Sequence, residues 1–154
     1  MKTSSMITGP STGVKLPRGL RNNNPLNIRK GCRWVGLRDF PTDKEFCEFR
    51  TMAYGYRAAF VTLRTYYSKH DCMTLRKIIN RWAPPSENDT TSYLQAVMKK
   101  AGIRDADSAL PNPFYAQNKG LWKDIILAMA EVENGTNNVS PAECEAGMNL
   151  LFFI

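Results

Sequence analysis

The stretch Leu121-Trp122-Lys123-Asp124-Ile125-Ile126-Leu127-Ala128-Met129-Ala130-Glu131-Val132-Glu133-Asn134-Gly135 is the most apolar helical segment of the chain. Its run from Ile125 to Ala130 carries no charge, so it reads as a buried helix, Leu121 to Glu133. Asn134-Gly135 closes it, because glycine accepts the left-handed backbone of a helix stop. The apolar runs Ile125–Ala130 and Leu150–Ile154 are both far too short to span a bilayer.

Other helical periods surround this one. From Ala53 to Lys69, Tyr56, Ala59, Phe60, Leu63, Tyr66 and Tyr67 recur at helical spacing. Thr74 suits the N-cap of a helix running to Trp82, which Pro84-Pro85 ends. Asp89 or Thr90 caps the next helix, expected to reach Ala101 before the Gly102 stop. A short final helix is expected over Pro141 to Leu150. Near the front, Arg33–Leu37 and Lys44–Arg50 carry Trp34, Val35, Phe46 and Phe49, and read as short strands joined by a turn at 39–42. The expected fold is α+β, mainly α, with one small β-hairpin lobe. Residues 1–16, rich in Ser, Thr and Gly, read as a flexible basic arm, and 17–154 as a single domain.

The composition fits that size. The chain has 154 residues, 43% hydrophobic and 23% charged, which excludes wholesale disorder, a collagen-like fibre and a coiled-coil rod. Its opening residues lack the apolar stretch of a secretory signal, so synthesis as a soluble cytoplasmic protein is expected. The net charge of +7 is uneven. Eight cations and no acid stand between Met1 and Arg38, whereas five acids and no Lys or Arg follow from Asp124. A basic front suggests a polyanionic partner: nucleic acid, an anionic membrane surface or the anionic cell wall. A basic solvated face that only aids solubility explains the same charge. No recognisable DNA- or RNA-binding motif accompanies it, which argues against nucleic acid.

Cys32, Cys47, Cys72 and Cys144 are spread singly, and His70 is the one histidine. Zinc sites need clustered ligands, so neither a metal nor any other cofactor is implied. A disulfide framework is not expected either. Cys47, between Phe46 and Phe49, reads as a core residue, and His70 as a helix cap rather than a catalytic base.

Three segments suggest chemistry. In Arg21-Asn22-Asn23-Asn24-Pro25-Leu26-Asn27-Ile28-Arg29, amides that donate and accept hydrogen bonds suit sugar hydroxyl and N-acetyl groups, and Trp34 beyond them offers a stacking face. A polar turn with Trp34 in the core explains the same residues. In Arg81-Trp82-Ala83-Pro84-Pro85-Ser86-Glu87-Asn88-Asp89-Thr90, a rigid loop could fix Glu87 as an acid, or its polar residues could simply cap a helix. At Glu133, a carboxyl ends an apolar helix. Poor solvation and the negative dipole end favour the protonated form that a general acid needs. The alternative is an ordinary solvated Glu before a glycine stop.

The motifs RGLRNNNPLNIR, WVG, DKEFCEF, GYRAA and IINRWAPPSENDT, in this order over about residues 17–135, resemble a phage and prophage group whose members are labelled virion structural proteins. More distantly, Asn23-Asn24-Pro25-Leu26-Asn27-Ile28 with the Trp34-x-Gly36 hairpin is similar to the β-lobe of lysozyme-like cell-wall glucosaminidases and transglycosylases. In those families the catalytic Glu precedes this lobe. Here Ala128-Met129-Ala130-Glu131-Val132-Glu133-Asn134-Gly135 fits the acid-bearing pattern at the other end, with Asn134 where those families prefer Ser. The resemblance therefore implies a lysozyme-like domain in circularly permuted order.

It further implies cleavage of peptidoglycan glycan strands, with Glu133 as the acid. Glu87, or Glu45 or Glu48 on the hairpin, would be the second carboxylate, and Asn24, Asn27, Trp34, Trp82 and Tyr93 would line the groove. A transglycosylase would need the acid alone. Without a signal, the protein would reach the wall by lysis, by a holin or by delivery in a virion, where other virion proteins would be its partners. The competing expectation is a non-catalytic virion structural or wall-binding module.

Overall fold

The computed structural model describes residues 15–154, and most of the arm expected over residues 1–16 therefore lies outside the described residues. The chain is mainly helical: α1 (Arg18–Arg21), α2 (Met52–Lys69), α3 (Leu75–Trp82), α4 (Thr90–Ala101), a 3₁₀ turn (Ala116–Asn118), α5 (Lys119–Asn134) and α6 (Pro141–Met148). None of these helices is long and apolar enough to cross a membrane.

Helix α5 is the centre. Trp122, Ile125, Ile126, Met129 and Ala130 are fully buried, because α5 is apolar around most of its circumference. Each large side chain taken out of water there contributes about 1.5–3 kcal/mol. Helix α4 packs along α5, α6 packs on both α2 and α5, and α3 leans on α4. Close approach of α6 to α2 needs Gly147, where a Cβ would stand 2.5 Å from the carbonyl oxygen of Ala53.

The helix ends follow their caps. Thr51, Thr74, Asp89 and Ser140 each accept a hydrogen bond from the backbone N–H three residues on. Gly102 and Gly135 take the left-handed conformation at φ 70° and 62° and end α4 and α5. His70 is the C-cap of α2. The final helix stops at Met148, short of the expected Leu150, and the short α1 was not expected at all.

The segment from Asn22 to Arg50 departs from the expected hairpin. Among the described residues its pairing is confined to single antiparallel bridges, Arg29 with Phe46 and Leu37 with Phe49. Gly36, at φ 86°, breaks the extended backbone of the first expected strand. In the second, the Asp43 carboxylate accepts the N–H groups of Glu45 and Phe46, both at 2.9 Å. Backbone bonds flank each bridge, Lys30 to Glu45 and Cys47 to Ile28, and Arg38 to Glu48 and Arg50 to Gly36, and polar side chains hold the rest. Asn24, wholly buried, donates to the carbonyls of Ile28 and Cys47 and accepts from the Ile28 N–H. Buried Glu48 accepts from the N–H groups of Thr42 and Asp43 and from Arg38.

The C-terminal residues fold back on the helices. Ile154 exchanges backbone hydrogen bonds with Phe114 and Ala116. Buried Arg64 of α2 lies over the rings of Phe60, Phe114 and Phe153 and donates to the Phe152 carbonyl. Burial lowers its guanidinium pKa from the usual value.

Candidate functional site

Four elements meet at the last turn of α5. Glu133 Oε2 accepts from the Trp82 indole N–H at 3.0 Å and from the Tyr93 hydroxyl at 2.9 Å. Asn27 Nδ2 approaches Glu133 Oε1 at 3.3 Å and its backbone carbonyl at 3.4 Å. Trp82 is there because Pro84 follows the last turn of α3, and Tyr93 because Asp89 starts α4 one turn earlier. Asn27 stands in the left-handed region at φ 54°, a conformation asparagine tolerates, and this turns its amide toward α5.

A second asparagine and a glycine hold the pair of elements together. Buried Asn134 donates to the carbonyls of Pro25, in the Asn27 turn, and of Ala130, one turn back in α5. Gly19 of α1 lies against both amides. A Cβ at Gly19 would stand 2.5 Å from Asn134 Oδ1 and 2.7 Å from Asn27 Oδ1. The helix end carrying Glu133 is therefore fastened to the Asn27 turn by groups that leave no room for a larger residue.

Tyr93 is buried, and that burial pushes its phenol well above the ordinary tyrosine value, the neighbouring Glu133 carboxylate adding to the rise. Its hydroxyl stays protonated and donates. Two donors thus engage Oε2, whereas Oε1 has only the longer contact with Asn27.

Glu133 opens onto a groove of about 490 Å³. Asn27, Trp34, Trp82 and Glu87 line it too, so these expected residues share one cleft. The Trp34 indole N–H is buried with no acceptor among the described residues. Tyr93 is not a wall of the groove but reaches it through Glu133 Oε2, which accepts from both Tyr93 and Trp82. Asn24 is spent on backbone groups and lies apart from the lining.

Glu45 and Glu48 are placed elsewhere. Glu45 is exposed and pairs with Arg18 at 3.1 Å and, loosely, with Arg29 at 3.8 Å. Glu48 serves the loop. Burial would raise its pKa, but the N–H groups of Asp43 and Thr42 with Arg38 outweigh this and hold it below the ordinary range. Neither lines the groove.

The sequence reading missed Arg29, Phe46 and Tyr66, which form part of the groove walls. Tyr66 belongs to the apolar stripe of α2, and its spacing alone marks it as core. Gly19 and Asn134 were missed as positioning groups because their contacts join residues far apart in the chain. Among the described residues, no three His, Cys, Asp or Glu side chains form a group able to hold a metal ion.

No family model matches the chain. A comparison with curated proteins does find a relative, Protein P5 of Pseudoalteromonas phage PM2. The two are 38% identical over 140 residues, spanning 88% of this chain and 82% of the relative. Identity at that level, sustained over nearly the whole of both proteins, makes this chain a member of the family of Protein P5 of phage PM2.

Proposed function

We propose that this phage-family protein cleaves the glycan strands of peptidoglycan, with Glu133 as the general acid. The observation that carries the reading is the carboxyl held by Trp82, Tyr93 and Asn27 where a buried helix opens onto an aromatic groove. In this reading Glu133 delivers its proton through Oε1, the oxygen with fewer donors, to the glycosidic oxygen as the C1–O bond breaks, and Trp82 and Tyr93 stabilise the carboxylate left behind. The charge developing at C1 is met by Glu87, the second carboxylate on the groove. Water activated by Glu87 then adds to C1, or a hydroxyl of the same sugar closes on it, as in a transglycosylase. Trp34 and Trp82 offer flat faces to sugar rings.

This reading includes a lysozyme-like domain in permuted order, its acid on α5 and its lobe formed by the loops from Asn22 to Arg50. The protein would act at the cell wall, or from within a virion beside other virion proteins. Kinship with a phage protein favours a second reading, a non-catalytic virion or wall-binding module that uses the same groove for recognition. Digestion of purified peptidoglycan with wild type, Glu133→Gln and Glu87→Gln, followed by mass spectrometry of the soluble products, separates the two. Muropeptides from wild type and none from Glu133→Gln support cleavage by Glu133. No muropeptides from any of the three leave the binding module.

A further inference from the structure

One arginine on the groove's aromatic wall and one beside it have charge to spare. Among the described residues lining the groove, Arg29 is the only cation. Its guanidinium lies 4.8 Å from the centre of the Phe46 ring, and its side chain is 71% exposed. Its ion pair with Glu45 is long, at 3.8 Å, and Glu45 is already taken by Arg18 at 3.1 Å. Arg18, on the same Phe46 ring, is in turn committed to Asp43 at 2.7 Å.

Arg81 lies outside the lining, on the ring of Tyr66, which is itself a groove wall. It lies 5.0 Å from the centre of the Tyr66 ring, next in sequence to Trp82. It takes no part in an ion pair among the described residues. A guanidinium stacked on an aromatic face keeps its planar edge of donors free, and that edge fits a carboxylate in bidentate fashion. The two acids on the groove, Glu87 and Glu133, are unsuited to an anion themselves, so an anionic group must be received at the arginines.

We propose that Arg29 and Arg81 bind carboxylates carried as substituents on the glycan strand, so that the groove selects an anionic glycan over a neutral one. This rests on the cleavage reading above, and adds which part of the substrate is recognised. Glycan rings stack on Trp34 and Trp82, while the carboxylates of attached peptides or acid ethers reach the two guanidiniums.

The test uses two preparations of purified sacculi. One is native, and the other has its carboxylates capped with ethanolamine, which leaves the glycan backbone unchanged. Binding is read by co-sedimentation with Glu133→Gln, and cleavage by release of soluble saccharide with wild type. The expected result is roughly tenfold weaker binding and slower cleavage on capped sacculi. Arg29→Ala/Arg81→Ala loses the same factor on native sacculi and nothing further on capped ones, and Arg29→Lys/Arg81→Lys recovers part of it. Equal binding of native and capped sacculi by Glu133→Gln overturns the proposal, as does a double alanine variant that keeps its preference for native sacculi. If cleavage is absent but the binding preference follows the arginines, the cleavage reading fails while carboxylate recognition stands.

Discussion

The hydroxyl of Tyr93 donates to the carboxylate of Glu133 at 2.9 Å, tying the first turn of α4 to the last turn of α5. The bond fixes the Glu133 side chain from beneath, because Tyr93 is buried and stays protonated. It also decides which oxygen is left with fewer partners. With Trp82 on the same Oε2 at 3.0 Å, Oε1 is the oxygen with the lesser engagement.

Tyr93→Phe removes this donor with little change in volume. A hydrogen bond to a charged group is worth about 1.5–3 kcal/mol, and in the proposed reaction Tyr93 makes one to the carboxylate left as Glu133 gives up its proton, so glycan cleavage is expected to fall roughly 10- to 100-fold. Circular dichroism of the variant is expected to match wild type. Full activity in a folded Tyr93→Phe would show that the bond has no part in placing the acid.

Gly19→Ala forces a methyl group into the space held by the two asparagine amides. The contacts of 2.5 Å to Asn134 and 2.7 Å to Asn27 must be relieved by moving α1 or the helix end. Overpacking of this kind costs about 1–3 kcal/mol, so the urea midpoint is expected to fall. Activity under native conditions is expected to drop as well, since the displaced groups anchor Glu133. An unchanged midpoint would mean that the contact is slack.

Acid is expected to loosen the loops between Asn22 and Arg50. Asp43 is held far below the ordinary carboxylate range, chiefly by Arg18. Glu48 is also lowered, its backbone donors and Arg38 outweighing burial. A carboxylate with a depressed folded pKa adds stability that is complete above its unfolded value. That stability is lost as pH falls toward the folded value. The urea midpoint is therefore expected to be lower at about pH 3 than at about pH 6, and less pH-dependent in Asp43→Asn. A midpoint that rises on acidification would contradict the role given to these two groups.

Thiol accessibility tests the packing independently. Cys32 is exposed, whereas Cys47, Cys72 and Cys144 are buried. Burial raises the thiol pKa of all three, that of Cys144 to about 12. A thiol reagent is expected to modify Cys32 quickly in the native protein and the other three only on unfolding. Rapid labelling of Cys144 would show that the α5–α6 contact opens readily.

Much of the helical framework is readable from the sequence because capping is local. Thr74, Asp89, Gly102 and Gly135 announce their helix ends within a few residues, and the structure places the ends there. Glu133 and Trp82 could be placed because each ends a helix, and Asn27 because it follows a proline turn; Tyr93 lies one turn beyond the Asp89 cap. Polar loop residues are harder. Asn24 and Glu48 have the chemistry of groove residues, but they are consumed by backbone groups that an interrupted hairpin leaves unpaired. Gly36 gave no sign in its neighbours that its backbone would turn left-handed at 86°. The contact of Gly19 with Asn134 joins residues more than a hundred positions apart, beyond the reach of any local period.

The most direct test of the central claim is the rate at which purified sacculi release soluble saccharide with wild type and with Glu133→Gln. The two proteins are compared at equal concentration, after circular dichroism shows the same helical content. Wild type is expected to release saccharide, and Glu133→Gln to fall at least about 100-fold below it, since the amide cannot supply the proton. Release by a folded Glu133→Gln at the wild-type rate would contradict the assignment of the acid.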